Sequence, residues 1–267
     1  MTHPMKKIKI IFFDIDGTLI DMKKKVISDK MLATLQALKK QDIKLCLATG
    51  RGPSALPQFA GVDFDAFLTF NGSYCFRPAE TIHAHPIPVG DIQQIIENAQ
   101  ALQRPLAIAT KEKIIANGKE PDLIEYFDFA HQQVIVSDRF TATVANEAIY
   151  QVMMGARQQE YDQILAGTTD AKITAWWDRA VDIIPATSGK GIGIQKILAY
   201  YQLTPEQALA FGDGNNDIEM LKTVGWGLAM GNASEELKAV ADEVIGGVDV
   251  DGIYHYCLRQ GLISAAD

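Results

Sequence analysis

Cysteine is scarce. Cys46, Cys75 and Cys257 are the only three in 267 residues, and their number and spacing make no metal-binding pattern, which suits a reducing cytoplasm. Long apolar runs are missing too, and none approaches the ~20 residues that span a bilayer. Positive charge is in deficit: 25 Lys and Arg stand against 33 Asp and Glu, a net charge of −8. That balance argues against nucleic acid or an anionic membrane as a partner. The short apolar run behind Lys6, Lys7 and Lys9 is cut off by Asp14 and Asp16, short of the ~7–15 residues of a secretory h-region. It reads as a first strand. What remains is ordinary: 48% hydrophobic, 22% charged, and long enough for one large domain or two modest ones.

Strands and helices alternate from the start. "IKIIFFD" is a buried strand by its apolar, branched and aromatic content, and "IKLCLATG" and "AFLTFNG" follow in the same manner. Ser28 is placed to cap a helix running to about Lys40, with Met31, Leu32, Leu35 and Leu38 on one face. After Pro78 the rhythm becomes helix, strand, strand, and "ARQQEYDQILA", "AKITAWWD" and "AVDIIPA" repeat it. Hairpins imply an antiparallel sheet. From Ser188 the first rhythm returns. The chain is therefore read as α/β: a doubly wound parallel-sheet core over 1–78 and 188–267, with an α+β domain of 79–187 inserted.

Ligands of open parallel sheets bind at the carboxyl ends of the strands. Four polar clusters fall there: Asp14 and Asp16; Thr49, Gly50 and Arg51; "GDGNND" with Asp213, Asn216 and Asp217; and Lys190 at a helix start. Spacing alone proves little. Asp63/Asp65 and Asp249/Asp251 repeat the Asp-x-Asp pattern without a long buried strand before it, and read as turn or solvated carboxylates. What sets Asp14 and Asp16 apart is the strand ahead of them and the Gly-Thr-Leu behind. Several carboxylates in one crevice repel unless a cation joins them, and an oxygen-only set suits Mg²⁺. "SGKG" is not a nucleotide phosphate loop, because Ile184 stands where that loop needs its first glycine.

In this order, "DIDGTL", "TGR", "NG", Lys190 and "GDGNND" resemble the haloacid dehalogenase superfamily, and within it the Cof-type phosphatases, whose cap is a large α/β insertion. "AMGNA" at 229–233 is similar as well. The resemblance spans the whole chain. It implies a Rossmann-like core with a cap, Mg²⁺ as cofactor and a phosphate ester as substrate. Asp14 is then the nucleophile that forms an aspartyl-phosphate, and Asp16 the acid and later the base. Mg²⁺ is held by Asp14, the Asp16 carbonyl and Asp213, with Asp217 acting in the outer shell. Thr49 and the Gly50 amide bind phosphate oxygens at a helix start, and Lys190, positioned by Asn216, neutralises the phosphoryl charge.

The function implied is hydrolysis of small phosphorylated metabolites, sugar phosphates first, by a cytoplasmic enzyme. A phosphomutase on sugar phosphates, using the same Asp pair, and a metabolite-binding regulator with a silent site are the alternatives. Elsewhere the readings are structural. Lys23–Lys25 form a solvated loop, and His83, His85 and His131 make no ligand set. Trp176 and Trp177 point to opposite faces of a strand, one of them in the core.

Overall fold

Ile10–Phe13 (β1) is apolar and buried at all four positions, as a strand covered on both faces must be. It lies at the heart of one of two sheets in the computed structural model, which describes residues 8–129, 132–175 and 177–264. Lys6, Lys7, His131 and Trp176 are outside those residues. The described chain forms two compact units. The first runs to Gly50 and adds Pro57–His83 and the chain from Lys190 on; the second takes Arg51–Leu56 and Ala84–Gly189.

The first unit opens with β1, α1 (Asp29–Lys40), β2 (Lys44–Ala48), β3 (Ala66–Thr69), β4 (Tyr74–Arg77) and β5 (Glu80–Ala84). The second holds α2 (Val89–Ala101), β6 (Leu106–Ala109), β7 (Ile114–Ala116), α3 (Pro121–Phe129) and α4 (Phe140–Asn146). It continues with β8 (Gln151–Gly155), α5 (Tyr161–Leu165), β9 (Lys172–Thr174) and β10 (Ala180–Ile184). The chain then returns with α6 (Lys190–Tyr200), β11 (Ala208–Gly212), α7 (Ile218–Thr223) and β12 (Trp226–Ala229). Last come α8 (Glu235–Lys238), β13 (Glu243–Val244) and α9 (Gly252–Arg259).

The first sheet has the order β13-β12-β11-β1-β2-β3-β4-β5, and its ladders from β13 to β3 are parallel. Residues alternate between two cores. Ile10 and Phe12 join Cys46, Ala208 and Ala210 under α6 and α7. Phe13 stacks on Phe211 at 5.5 Å, and Phe211 meets the edge of Tyr256 on α9. Helices thus cover both faces. Ser28 caps α1 by accepting the Met31 amide at 3.0 Å, and Met31, Leu35 and Leu38 are buried while Leu32 is half-exposed.

β4 departs from the parallel plan. It pairs antiparallel with β3, and after a turn through Ala79, at φ 65°, β5 extends the same sheet. The first unit therefore reaches past the expected junction near Pro78. Period-two patterning cannot separate an antiparallel edge strand from the start of an inserted domain.

The second sheet, β7-β6-β8-β10-β9, is antiparallel throughout. Leu106, Ile108, Val152, Met154, Val181 and Ile183 make one core with Ile92 and Ile95 of α2 and Ile164 of α5. On the other face Tyr126 of α3 donates to Asp182 at 2.5 Å. The helix–strand–strand echo omits α3, α4 and β8, although β8 sits mid-sheet. "QVMMG" is buried at every residue, and a short apolar run of that kind has no period to read.

A charged knot closes this unit. Arg104 donates through Nε and Nη2 to the two oxygens of Glu160 at 3.0 and 2.9 Å, and through Nη1 to Asp122 at 3.2 Å. Arg157 pairs with the same Asp122 at 2.9 Å. Arg157 and Arg104 hold the Asp122 carboxyl below its usual range; burial works against Glu160, but Arg104 and Arg157 together outweigh it and lower that carboxyl too. The contribution is whole above the ordinary carboxylate values, 3.8 and 4.5, and is lost as pH falls through the lowered ones. Hydrogen bonds to charged groups are each worth about 1.5–3 kcal/mol. Arg104→Met is expected to destabilise the chain by an amount of that order in urea unfolding at neutral pH. The difference from wild type should shrink as the pH is brought below the ordinary carboxylate values and through the lowered ones, where the acids take up protons. A loss that does not change with pH would assign the effect to packing of the arginine stem.

Candidate active site

The order β11-β1-β2 means that the chain leaves β1 in one direction and returns on its other side. A crevice opens at the carboxyl ends where such a sheet changes direction. Asp14 lies there, its amide still on the ladder to Phe211 O at 3.0 Å. The chain then turns tightly: the amides of Leu19 and Ile20 donate to Ile15 O, and Gly17 N to Ile20 O. Gly17 has φ +87°, and a Cβ on it would stand 2.1 Å from Asp213 Oδ2. No other residue fits both the backbone and the approach. Thr18 donates its hydroxyl to Asp213 Oδ1 at 3.0 Å, and Asn232, from "AMGNA", donates to Gly17 O at 2.9 Å.

From β11 come Asp213 and Asp217. Asp217 is fully buried and fully engaged. Its Oδ2 accepts the amides of Asp213 and Gly214, both at 3.0 Å, and its Oδ1 accepts Lys190 Nζ at 2.6 Å. A Cβ on Gly212 would meet Asp217 Oδ2 at 2.6 Å, so that glycine makes room for the carboxylate. Lys190, buried at the first turn of α6, reaches Asp14 Oδ1 at 2.7 Å as well.

Electrostatics follow from this packing. Burial alone would push the Lys190 ammonium down, but Asp14 and Asp217 raise it, and it stays charged. Asp14 is pushed up to about 7 by burial, then by the repulsion of Asp217 and Asp16, with Lys190 pulling the other way. Burial, Asp14 and Asp217 raise Asp213 too. One ammonium thus leaves the carboxylates under-compensated. Oxygens of Asp14, Asp213 and Asp217 lie within 4.8 Å of one another, and among the described residues no other group of three metal-ligating side chains gathers so closely. A hard, oxygen-only, negatively overcharged set fits Mg²⁺. Asp14 and Asp213 fit the inner positions, whereas both oxygens of Asp217 are already taken.

Two expectations need correction. No helix begins at Thr49 and Gly50; the next helical turn is the 3₁₀ segment Pro53–Ala55, so no helix N-terminus serves these residues. Nor does Asn216 position Lys190, since the lysine's partners are Asp14 and Asp217. Asn216 donates to Asn71 Oδ1 at 3.1 Å instead. Asn71 entered the sequence reading only as part of the "NG" motif and was given no role there. It is buried in the left-handed region at φ 51°, its amide donates to Thr49 O at 3.0 Å, and its side chain lies against Gly50. The visible signal was the Asn-Gly pair at the end of a strand, a combination suited to left-handed backbone.

Of the residues given structural readings, Lys23 and Lys24 turn their amides onto Asp21. His85 bonds Asp170 at 2.9 Å and Thr187 at 3.0 Å inside the second unit. Arg51 donates to Ala55 O at 3.2 Å, and Trp177 is half-buried beneath the Arg179 guanidinium at 4.3 Å.

Residues 11–257 match the family model of haloacid dehalogenase-like hydrolases. The 5-amino-6-(5-phospho-D-ribitylamino)uracil phosphatase YitU of Bacillus subtilis is 26% identical, over 92% of this chain and 95% of its own. Among solved structures, the phosphatase BT1666 of Bacteroides thetaiotaomicron superposes with a TM-score of 0.88 at 28% identity, covering 96% of both chains. The HAD subclass IIB sugar phosphatase BT4131 gives 0.85 at 29%, covering 96% of this chain and 100% of that one. With the catalytic end of the sheet built as described, the chain belongs to the haloacid dehalogenase-like hydrolases, as a phosphoric monoester hydrolase of the Cof-type group.

Proposed function

We propose that the chain is a Mg²⁺-dependent phosphatase that hydrolyses small phosphorylated metabolites, sugar phosphates first, through an aspartyl-phosphate. The observation that carries this reading is Lys190 held between Asp14 and Asp217 beside Asp213, at the carboxyl end of β1. A free Asp14 oxygen attacks phosphorus in line with the leaving oxygen, and the P–O bond to the substrate breaks. Asp16 gives that oxygen its proton, then takes one from the water that attacks the phosphoryl group, releasing phosphate and restoring Asp14. Thr49, the Gly50 amide and Lys190 receive the phosphoryl oxygens, with Asn216 acting through Asn71. Asp14, the Asp16 carbonyl and Asp213 would hold the Mg²⁺, with Asp217 one shell out. Bound there, it supplies positive charge that favours ionised Asp14 and offsets charge on the phosphoryl oxygens. The second unit, proposed as the cap, is assigned the choice of substrate. The sugar-phosphate preference draws support from BT4131 being a sugar phosphatase.

Asp14→Asn is expected to abolish phosphate release while the chain stays folded. A loss of several orders of magnitude is anticipated, each tenfold being about 1.4 kcal/mol of barrier. Turnover within tenfold of wild type, in protein checked by mass for deamidation, would refute the nucleophile.

Asp213 and Asp217 should part company in two measurements. In a Mg²⁺ titration of turnover, Asp213→Asn is expected to raise the half-maximal concentration more than Asp217→Asn does. Without added metal the order of stability reverses. Neutralising Asp213 removes a carboxylate whose pKa is raised by burial and by repulsion from Asp14 and Asp217, so Tm holds or rises; Asp217→Asn removes the buried charge facing Lys190 and leaves one oxygen where two served Lys190 and two amides, so Tm falls. If Asp213→Asn is the less stable of the two, the assignment fails. A phosphate-release screen over phosphorylated metabolites tests the substrate class, and a best substrate that is not a sugar phosphate would overturn that part alone.

A further inference from the structure

A recess of about 180 Å³ in the first unit takes no part in the chemistry above. That is far more than the ~10–15 Å³ one water needs, so a small organic molecule fits. Leu19, Met31 and Met230 give it an apolar wall. Its charged lining is one-sided: Asp21, Asp249 and Asp251 against the single cation Lys24.

Asp21 is the informative member. It is 7% exposed, and its Oδ1 accepts the amides of Lys23 at 2.8 Å and Lys24 at 3.3 Å. Its Oδ2 is shielded from solvent and has no hydrogen-bond partner. Those amide bonds, the Lys23 amide first, hold the carboxyl below its usual range, so the side chain is an anion. A buried anionic oxygen met only by a long contact to a largely exposed ammonium is weakly compensated, and a closer donor would be favoured there. The cation paired with it is the Lys24 ammonium, 3.6 Å away and on a side chain that is 65% exposed. Asp251 is already engaged, accepting Ser28 Oγ at 2.5 Å and facing Lys30 at 3.4 Å.

A bare metal ion does not suit the place. Among the described residues only Asp14, Asp213 and Asp217 bring three ligand atoms close together, so the acids of the recess are spread out. Spread acids over an apolar wall match an ammonium carried on a hydrocarbon body. We propose that the recess is a binding site for a small primary alkylammonium, its nitrogen replacing Lys24 at Asp21 and its chain lying on Leu19, Met31 and Met230. Thr18 lines the same recess and donates to Asp213, which sets the occupant beside the catalytic loop.

The test is methionine-methyl NMR of the full chain in Mg²⁺-containing buffer, titrated with n-butylammonium, 1-butanol or butyrate. Saturable shifts of the Met31 and Met230 methyls are expected with butylammonium alone, at about millimolar concentration. Asp21→Asn should weaken binding about tenfold or more, roughly the value of one charged hydrogen bond. Asp249→Asn, at an exposed position, tests the same charge where folding is not at stake and should weaken it several-fold. Lys24→Met should tighten binding, because the resident ammonium is gone. The proposal is overturned if butylammonium does not saturate these methyls, if 1-butanol binds equally well, or if Lys24→Met weakens binding or leaves it unchanged.

Discussion

A single buried ammonium holds the catalytic end of the sheet together. Lys190 lies between Asp14 from β1 and Asp217 from the loop after β11, and its side chain is wholly shielded from solvent. Without it, carboxylates from neighbouring parallel strands would meet in a low-dielectric space, and like charges at that range cost several kcal/mol even at moderate screening. The lysine belongs to the helix by which the chain re-enters the first unit, so closing the sheet and neutralising the site are one event. Because it compensates less than the whole negative charge, the site keeps an appetite for one more cation. Stability and chemistry therefore draw on the same imbalance.

Much of this was legible in the sequence. β1, β2, β3 and β11 were readable because strands buried on both faces are written as unbroken apolar runs, and α1 because Ser28 and a 3.6-residue apolar stripe agree. The carboxylates Asp14, Asp213 and Asp217 could be expected together from strand-end placement, and Lys190 joined them through the family resemblance. What escaped was relational. No spacing says that Lys190 bonds Asp217 and not Asn216, since both lie in the same loop. Asn71 was read only as part of the "NG" motif, and its place among Thr49, Gly50 and Asn216 shows only in the folded chain. β4 and β5 carry the pattern of any edge hairpin, and β8 carries no pattern at all.

The two units solve the problem of burial differently. The first spreads two helical layers over a mostly parallel sheet, with its buried ion pairs of Lys190 at the carboxyl end of β1. The second is antiparallel, with apolar side chains under α2 and α5 and a knot of arginines and acids joining α3 to the loops near Glu160. Each has a core of its own, which is the physical meaning of a domain. Substitutions in the arginine knot and in the carboxylate cluster share no partner, and their effects on stability should add.

The pairing of β1 with β11 also fixes an order of assembly on the ribosome. Ile10 is registered with Ala208, so the first strand made waits for most of the chain before its neighbour exists. The second unit is almost continuous in sequence, and its sheet needs nothing beyond Ile184. During synthesis it can condense while β1, β2 and β3 stand with an open, apolar edge. That nascent edge is the stage most exposed to chaperone capture and to mispairing with another chain, and the arrival of β11 both closes it and delivers the last carboxylates of the candidate site.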